Sequence, residues 1–323
     1  MRAVVTGYGK YLPENIVTNK KLEETLDTND QWIRERTGII ERHIAAEGEY
    51  TSHLASKAGA QALQTAGISP EDVDMIILAT ATPDETFPSS STRVQHALGC
   101  KNACAMDLQA ACSGFVYSMA VADGFIRSGQ KKTILVIGAE TMSRVVNWQD
   151  RGTCILFGDG AGAVLVQAQD AKDEQGRERG ILSSHLAADG AYADILKTDG
   201  GVSSTQKSGV LSMEGQEVFR HAVSKMSTSA AQSLENLGLT IADIDWLVPH
   251  QANARILTAC AKKLNIPEEK IIMNVAHSAN TSSASIPLAL AQACLDGKIK
   301  NGDLVVCPAL GAGLTWGTCI IRW

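Results

Sequence analysis

The chain has 323 residues, 45% hydrophobic and 20% charged, with a formal net charge of −6 and a sequence pI near 5.7. That length suits one large or two medium domains, and the acidic balance argues against broad nucleic-acid binding through a basic face, although a local basic mouth remains possible. No apolar run approaches the roughly 18 residues of a membrane span. The opening MRAVVTGYGKYLP is too glycine-rich and too short in apolar length for a signal peptide. The eight cysteines show no CxxC and no Cys/His cluster at zinc spacing. The expectation is a reduced, cytoplasmic protein with no metal.

In chain order, residues 59–77 (GAQALQTAGISPEDVDMII) read as an Ala/Leu-periodic helix, a glycine stop and a short apolar strand. AMDL (105–108) is another short strand. Cys112 follows it, ahead of the proline-free apolar run FVYSMAVADGFI (115–126), which reads as a buried helix, and a further strand lies within SGQKKTILVIGAE (128–140). GDGAGAV (158–164) lacks GxGxxG spacing and joins two apolar runs, so a tight hairpin is expected there. The polar stretch 168–212 is expected to hold crossover loops. AAQSLENLGLTIADIDWLV (230–248) again reads helix, glycine, strand. It is followed by His250, then by the small polar residues around Asn280, the helix SIPLALAQACL (285–295), the strand LVVC and the glycine-rich ALGAGLTWG (309–317).

The two helix–strand segments repeat. Gln61, Gly67 and Asp74 match Gln232, Gly238 and Asp245 at an offset of 171, and Gly129 matches Gly297 at 168. An internal duplication is expected, with halves at 1–170 and 171–323, each a mostly parallel sheet covered by helices. Shifting Cys112 by 168 reaches Asn280, so these two residues are expected as symmetry mates at helix starts, around a site at the strand ends.

A free cysteine most often packs as a small hydrophobe. At a helix start, however, the dipole and free N–H groups favour thiolate, a nucleophile toward acyl carbonyls. His250 can exchange protons near neutral pH, with His277 as its rival, and an Asn amide can donate a hydrogen bond but cannot act as a base. A thiol with two neutral donors suits acyl transfer through an oxyanion or enolate. Cys, His and Asn also serve papain-like thiol hydrolases, but the internal repeat argues against that reading. A non-catalytic acyl-binding scaffold is a further alternative.

Seven segments carry a specific resemblance across essentially the whole chain. They are TNDQWIRERTGI (28–39), AACSGF around Cys112, DRGT (150–153), FGDGAGAV (157–164), PHQANAR (249–255), NTSSASIPLAL (280–290) and the GAGLTWG ending. The chain resembles the β-ketoacyl-[acyl-carrier-protein] synthase III family of thiolase-like condensing enzymes. The resemblance implies an α/β thiolase-like fold with two duplicated halves in a five-layer αβαβα body. It implies an acyltransferase of fatty acid biosynthesis that condenses acetyl-CoA with malonyl-acyl carrier protein as a homodimer, with coenzyme A arriving as the thioester substrate and no cofactor. Cys112 would be the nucleophile, His250 and Asn280 the enolate donors, and the backbone N–H groups of Cys112 and Ala312 the oxyanion hole. Thr28, Trp32, Arg36, Arg151 and Asn253 would bind CoA, with Trp32 and Arg151 sandwiching the adenine. Gln251 and Arg255 would dock the carrier protein. Met142, Leu156 and Phe157 would line the acyl pocket, and Phe87 would reach the partner subunit's. Related polyketide- or quinolone-type synthases would share this set. Two positions depart from the family: Ala279 stands where glycine usually precedes the Asn, and Leu310 where Phe usually precedes the glycine run.

Overall fold

The computed structural model describes residues 1–323. One five-stranded sheet is built from β1 (Arg2–Tyr11), β2 (Met75–Ala79), β3 (Cys104–Leu108), β4 (Thr133–Thr141) and β5 (Asp159–Gln169), in the order β1-β5-β4-β2-β3. A second holds β6 (Gly180–Ala188), β7 (Trp246–Leu247), β8 (Leu304–Gly311) and β9 (Thr315–Arg322), in the order β7-β8-β9-β6. Read from the other edge, β6-β9-β8-β7 repeats β1-β5-β4-β2. A parallel bridge from Leu247 to Ile271 stands where β3 stands in the first sheet. Three β-pairings match in sense: β1 with β5 and β6 with β9 are antiparallel, β4 with β5 and β8 with β9 likewise, and β2 with β4 and β7 with β8 are parallel.

Alternation along the strands sorts side chains into layers. On β4, Leu135 and Ile137 face the helix α1 (Thr51–Ala66) through Leu54, Ala58 and Ala62. Ile134 and Val136 face the opposite way, onto α2 (Gly114–Arg127) and the helix Ser285–Leu295. These two helices fill the space between the sheets. Beyond the second sheet lie α3 (Gly215–Glu235) and α4 (Ala254–Leu264), packed through Ala230, Leu234, Ala261 and Leu264 onto Leu247, Val306 and Ile320. With Ser285–Leu295 as α5, and the helix Ser90–Leu98 packed beside α1 on the outer face of the first sheet, the order is helix pair, sheet, helix pair, sheet, helix pair. Strands buried on both faces explain their near-continuous apolar runs.

One expectation fails and another is incomplete. GDGAGAV is no hairpin but runs into β5, an interior strand of its sheet whose first eight residues are buried. A Cβ at Gly162 would lie 2.3 Å from the Leu288 nitrogen and 2.4 Å from the Pro287 carbonyl carbon, so these glycines let α5 press its backbone onto the strand. The stretch 168–212 is not only loop: it contains β6 and a small hairpin, Leu196–Thr198 with Leu211–Met213.

The expected pairing of Cys112 with Asn280 also needs correction. The turn Ala111–Ser113 before α2 matches the turn Ser282–Ala284 before α5, both opening on a non-glycine residue of positive φ, 46° at Ala111 and 50° at Ser282. That keeps the offset of 171 and makes Ser283 the counterpart of Cys112. The helix α2 has 14 residues and α5 has 11, which accounts for the 168 offset at Gly297.

Candidate active site

The turn before α2, the segment after β7 and the segment before α5 meet at one cavity of about 880 Å³. Cys112, His250 and Asn280 all line it, with Asn253, Ala312, Met142, Leu156 and Phe157. Its roof includes the small hairpin, through Leu196, Leu211 and Met213.

Cys112 is the middle residue of its turn. The turn is tied to β9 by the Ser113 hydroxyl, which donates to the Thr315 carbonyl at 3.0 Å, and by the Thr315 hydroxyl, which donates to the Ala110 carbonyl at 2.9 Å. A Cβ at Gly311 would lie 2.6 Å from the Cys112 nitrogen, so only glycine lets the end of β8 approach that amide. Burial pushes the Cys112 thiol up to about 12. A hydrogen bond with the Ser282 side chain opposes this, and the nearby Glu140 carboxyl adds to it. Burial is the largest of these influences and favours the thiol over the thiolate expected from the helix start.

His250 sits past β7, where the chain keeps pairing with β8: Val248 N–H donates to the Val306 carbonyl at 2.8 Å, and His250 N–H to the Pro308 carbonyl at 2.9 Å. The residue is 3% exposed, and its Nδ1 is 2.7 Å from the Ser285 hydroxyl. Burial pulls its pKa down to about 3, so the imidazole is neutral at any ordinary pH. The rival His277 is exposed and lies 2.9 Å from Glu41, outside the cavity.

Asn280 is fixed at both ends of its backbone, by its N–H to the Leu156 carbonyl at 2.9 Å and by the Gly158 N–H to its own carbonyl at 3.1 Å. Its Oδ1 accepts from the Ser282 N–H at 2.9 Å, which orients the amide and leaves Nδ2 as the donor for the cavity. Ala279 before it holds φ 55° and ψ −164°, a region that is nearly glycine-only. The alanine accepts the conformation that the family's usual glycine would adopt freely.

Sequence reasoning missed two side chains. Ser285 holds His250. Glu140, fully buried at the end of β4, accepts from the hydroxyls of Thr80 and Thr82, the Ala81 N–H and the Ser283 hydroxyl, and so pins the turn before α5 to the first sheet. Burial raises its carboxyl and these donors oppose the rise. A carboxylate closing the apolar run TILVIGAE was the signal available, because buried acids persist only when paired.

The remaining expected residues divide. Gln251 is fully buried: its amide donates to the Pro249 and Ile272 carbonyls at 2.7 and 3.1 Å and accepts from the Asn274 N–H. It braces the loop and cannot touch a carrier protein, so its docking role is withdrawn. Arg255 is exposed on the first turn of α4, its guanidinium 5.9 Å from the Phe219 ring. Asn253 caps α4 by accepting from the Ile256 N–H. Phe87 is 82% exposed and lines no part of this chain's cavity. Thr28, Trp32, Arg36 and Arg151 also lie off the cavity wall, and three of them cluster: Arg36 and Arg151 both stand over the Trp32 ring, 5.0 and 5.2 Å from its centroid.

Two family models match, 3-oxoacyl-[acyl-carrier-protein (ACP)] synthase III over residues 106–190 and its C-terminal counterpart over 234–323. A relative from Bradyrhizobium diazoefficiens, named beta-ketoacyl-[acyl-carrier-protein] synthase III, is 54% identical over 323 residues, covering 100% of this chain and 99% of its own. The crystal structure of 3-oxoacyl-[acyl-carrier-protein] synthase III from Aquifex aeolicus superposes with a TM-score of 0.94 at 45% identity, covering 99% of this chain and 100% of that one. The Pseudomonas aeruginosa structure of the same name gives 0.93 at 42%, covering 100% and 98%. With identity of this depth running from end to end, around a thiol, a neutral imidazole and an oriented amide in one cavity, the chain belongs to the β-ketoacyl-[acyl-carrier-protein] synthase III family.

Proposed function

We propose that this cavity carries out the condensation that initiates fatty acid biosynthesis, joining acetyl-CoA, or another short acyl-CoA, to malonyl-acyl carrier protein to give the acetoacetyl-carrier protein. In this reading residues 1–170 supply the nucleophile and 171–323 the His and Asn. The observation that carries it is the pairing of one thiol with two neutral donors. His250 stays uncharged and Asn280 can only donate through Nδ2, so the site is suited to stabilising a developing oxyanion.

In the first half-reaction the Cys112 sulfur attacks the acyl-CoA carbonyl, its proton departs, and the CoA thiolate leaves and is protonated. The amides of Cys112 and Ala312 are the proposed donors to the tetrahedral oxygen. In the second, malonyl-carrier protein loses CO₂ and the bonding pair moves onto the thioester as an enolate, whose oxygen accepts from His250 and Asn280. The enolate carbon attacks the acyl group and Cys112 leaves as thiolate. Coenzyme A enters as substrate, and none of these steps requires a cofactor.

The Trp32–Arg151 stack is the proposed adenine site, with Arg36, Thr28 and Asn253 along the rest of CoA. Stacking of a guanidinium on indole suits an aromatic base inserted between them. The carrier protein is proposed to dock on the paired helices α3 and α4, where Arg220, Arg255, Lys262 and Lys263 are exposed. A second copy is proposed on the open edge at β3, where the exposed Phe87 would reach the partner's acyl pocket beside Met142, Leu156 and Phe157. No helix is long and apolar enough to cross a membrane, and a cytoplasmic location is the proposal. The test is intact-protein mass after mixing with a panel of acyl-CoAs, followed by malonyl-carrier protein. A thioester adduct on Cys112 that is consumed with CO₂ release is expected. An adduct that simply hydrolyses would overturn the condensation.

A further inference from the structure

Ser285 is the first residue of α5, 1% exposed, and its hydroxyl has two neighbours. The Gln251 N–H points at its oxygen from 3.2 Å, and His250 Nδ1 lies 2.7 Å away. A backbone N–H can only donate, so one lone pair of the oxygen is taken. The hydroxyl hydrogen then needs an acceptor, and the structure offers it none but His250 Nδ1: Ser285 makes no bond back to a carbonyl of the preceding turn. Were Nδ1 to carry the proton, the hydroxyl hydrogen would be buried without a partner, an arrangement that folded proteins avoid. The chain of donors therefore runs from the Gln251 N–H to the Ser285 oxygen, and from the Ser285 O–H to His250 Nδ1.

We propose that Ser285 is a positioning residue that holds His250 as the Nε2–H tautomer, so that the ring presents a donor, and not an acceptor, to the cavity. This rests on the reading of His250 as donor to the malonyl thioester oxygen. It adds that the same serine denies His250 the role of base toward the Cys112 thiol, because an Nε2 that carries hydrogen has no free lone pair. The start of α5 also favours the neutral ring, since the positive end of a helix disfavours an imidazolium beside it. Gln251, buried and unable to meet a partner protein, supplies the first link through its backbone, which its own side-chain bonds hold in place.

The test uses the full chain in two independent measurements. Long-range ¹H–¹⁵N correlation of histidine-labelled protein reports the tautomer directly. Wild type is expected to show His250 protonated at Nε2, and Ser285→Ala to show a mixture or the Nδ1–H form. Finding Nδ1–H in wild type overturns the proposal whatever the kinetics. The second measurement compares acyl loading of Cys112 with CO₂ release from malonyl-carrier protein. Partners that orient metal-binding histidines are typically worth about 10–100-fold; with the same order of effect here, Ser285→Ala should lower CO₂ release by about 10–100-fold with loading changed less than about threefold, and Ser285→Thr should restore much of the loss. Equal loss in both half-reactions would mark Ser285 as merely structural and refute the idea. Wild type that loads but releases no CO₂ would refute the condensation itself, and the tautomer spectrum would still decide the role of Ser285.

Discussion

Replacing Asn280 by alanine removes two things at once, and the structure separates their effects. The first is the Nδ2 donor. Losing one such donor to a developing oxyanion costs on the order of 10²–10³ in rate, or about 3–4 kcal/mol. The second is the Oδ1 acceptor, which now satisfies the N–H of Ser282, a residue 2% exposed. Leaving that N–H unpaired costs about 1–3 kcal/mol of stability. With an unfolding entropy of about 2.1 cal/mol/K per residue, a chain of 323 residues shifts by about 1.5 °C per kcal/mol, so the melting temperature should fall by roughly 1.5–4.5 °C. The loop should nevertheless persist, because the backbone bonds of residue 280 to Leu156 and Gly158 do not involve its side chain. Acyl loading depends on Cys112 and on a turn anchored to β9 through Ser113 and Thr315, so it should stay within a few-fold of wild type. Label transfer from acyl-CoA to protein, measured beside CO₂ release from malonyl-carrier protein below the new melting temperature, gives both numbers. If loading and decarboxylation fall by the same factor, Asn280 is not an enolate donor and its loop has only a structural role.

His250 makes stability pH-dependent with a definite sign. Its folded pKa of about 3 lies below the ordinary 6.5, so stability is intact above pH 6.5 and is lost as pH falls toward 3, by at most about 1.4 kcal/mol per unit; urea unfolding at pH 7, 6 and 5 should show a shallower fall for His250→Asn. Gly162→Ala should cost about 1–3 kcal/mol or more, because its Cβ meets the backbone of α5. Gly124→Ala, on an open face of α2 with nothing within 4 Å, should instead gain about 0.5–1 kcal/mol, so thermal melts of opposite sign are expected. Arg255→Ala should raise the apparent KM for the acidic carrier protein at low salt and leave that for acetyl-CoA unchanged; an unaltered carrier constant would remove Arg255 from the docking surface.

What could be read from the sequence followed the strength of local signals. Helices α2 and α5 were legible because they are long, apolar and proline-free at their centres, and the Cys112 and Asn280 segments because each sits between a strand and a helix. The GDGAGAV segment was misread because glycine is ambiguous in one dimension. It marks a turn or a backbone pressed by a neighbour, and only the position of α5 distinguishes the two. The mismatch of Cys112 with Asn280 came from counting backward from Gly297, across a helix shorter by three residues. Gln251 was placed at the docking surface only through the resemblance, by its position in the PHQANAR segment beside His250 and Arg255. Its burial depends on the distant carbonyl of Ile272, which no local pattern encodes.

The matched turns before α2 and α5 are two equivalent sockets, one per half, and they are wired differently. In the first the central residue is Cys112 and its side chain opens to the cavity. In the second it is Ser283, whose hydroxyl is spent internally on the Ala79 carbonyl at 2.9 Å and on Glu140 at 2.8 Å. The duplicated frame thus has one live terminal and one that serves as a fastener clamping the second half to the first. A cysteine placed at 283 would add no second nucleophile, because that position faces inward onto a carboxyl group and not toward incoming thioesters. The duplicated frame is thus asymmetric by construction: one socket faces the cavity and the other is given over to holding the halves together.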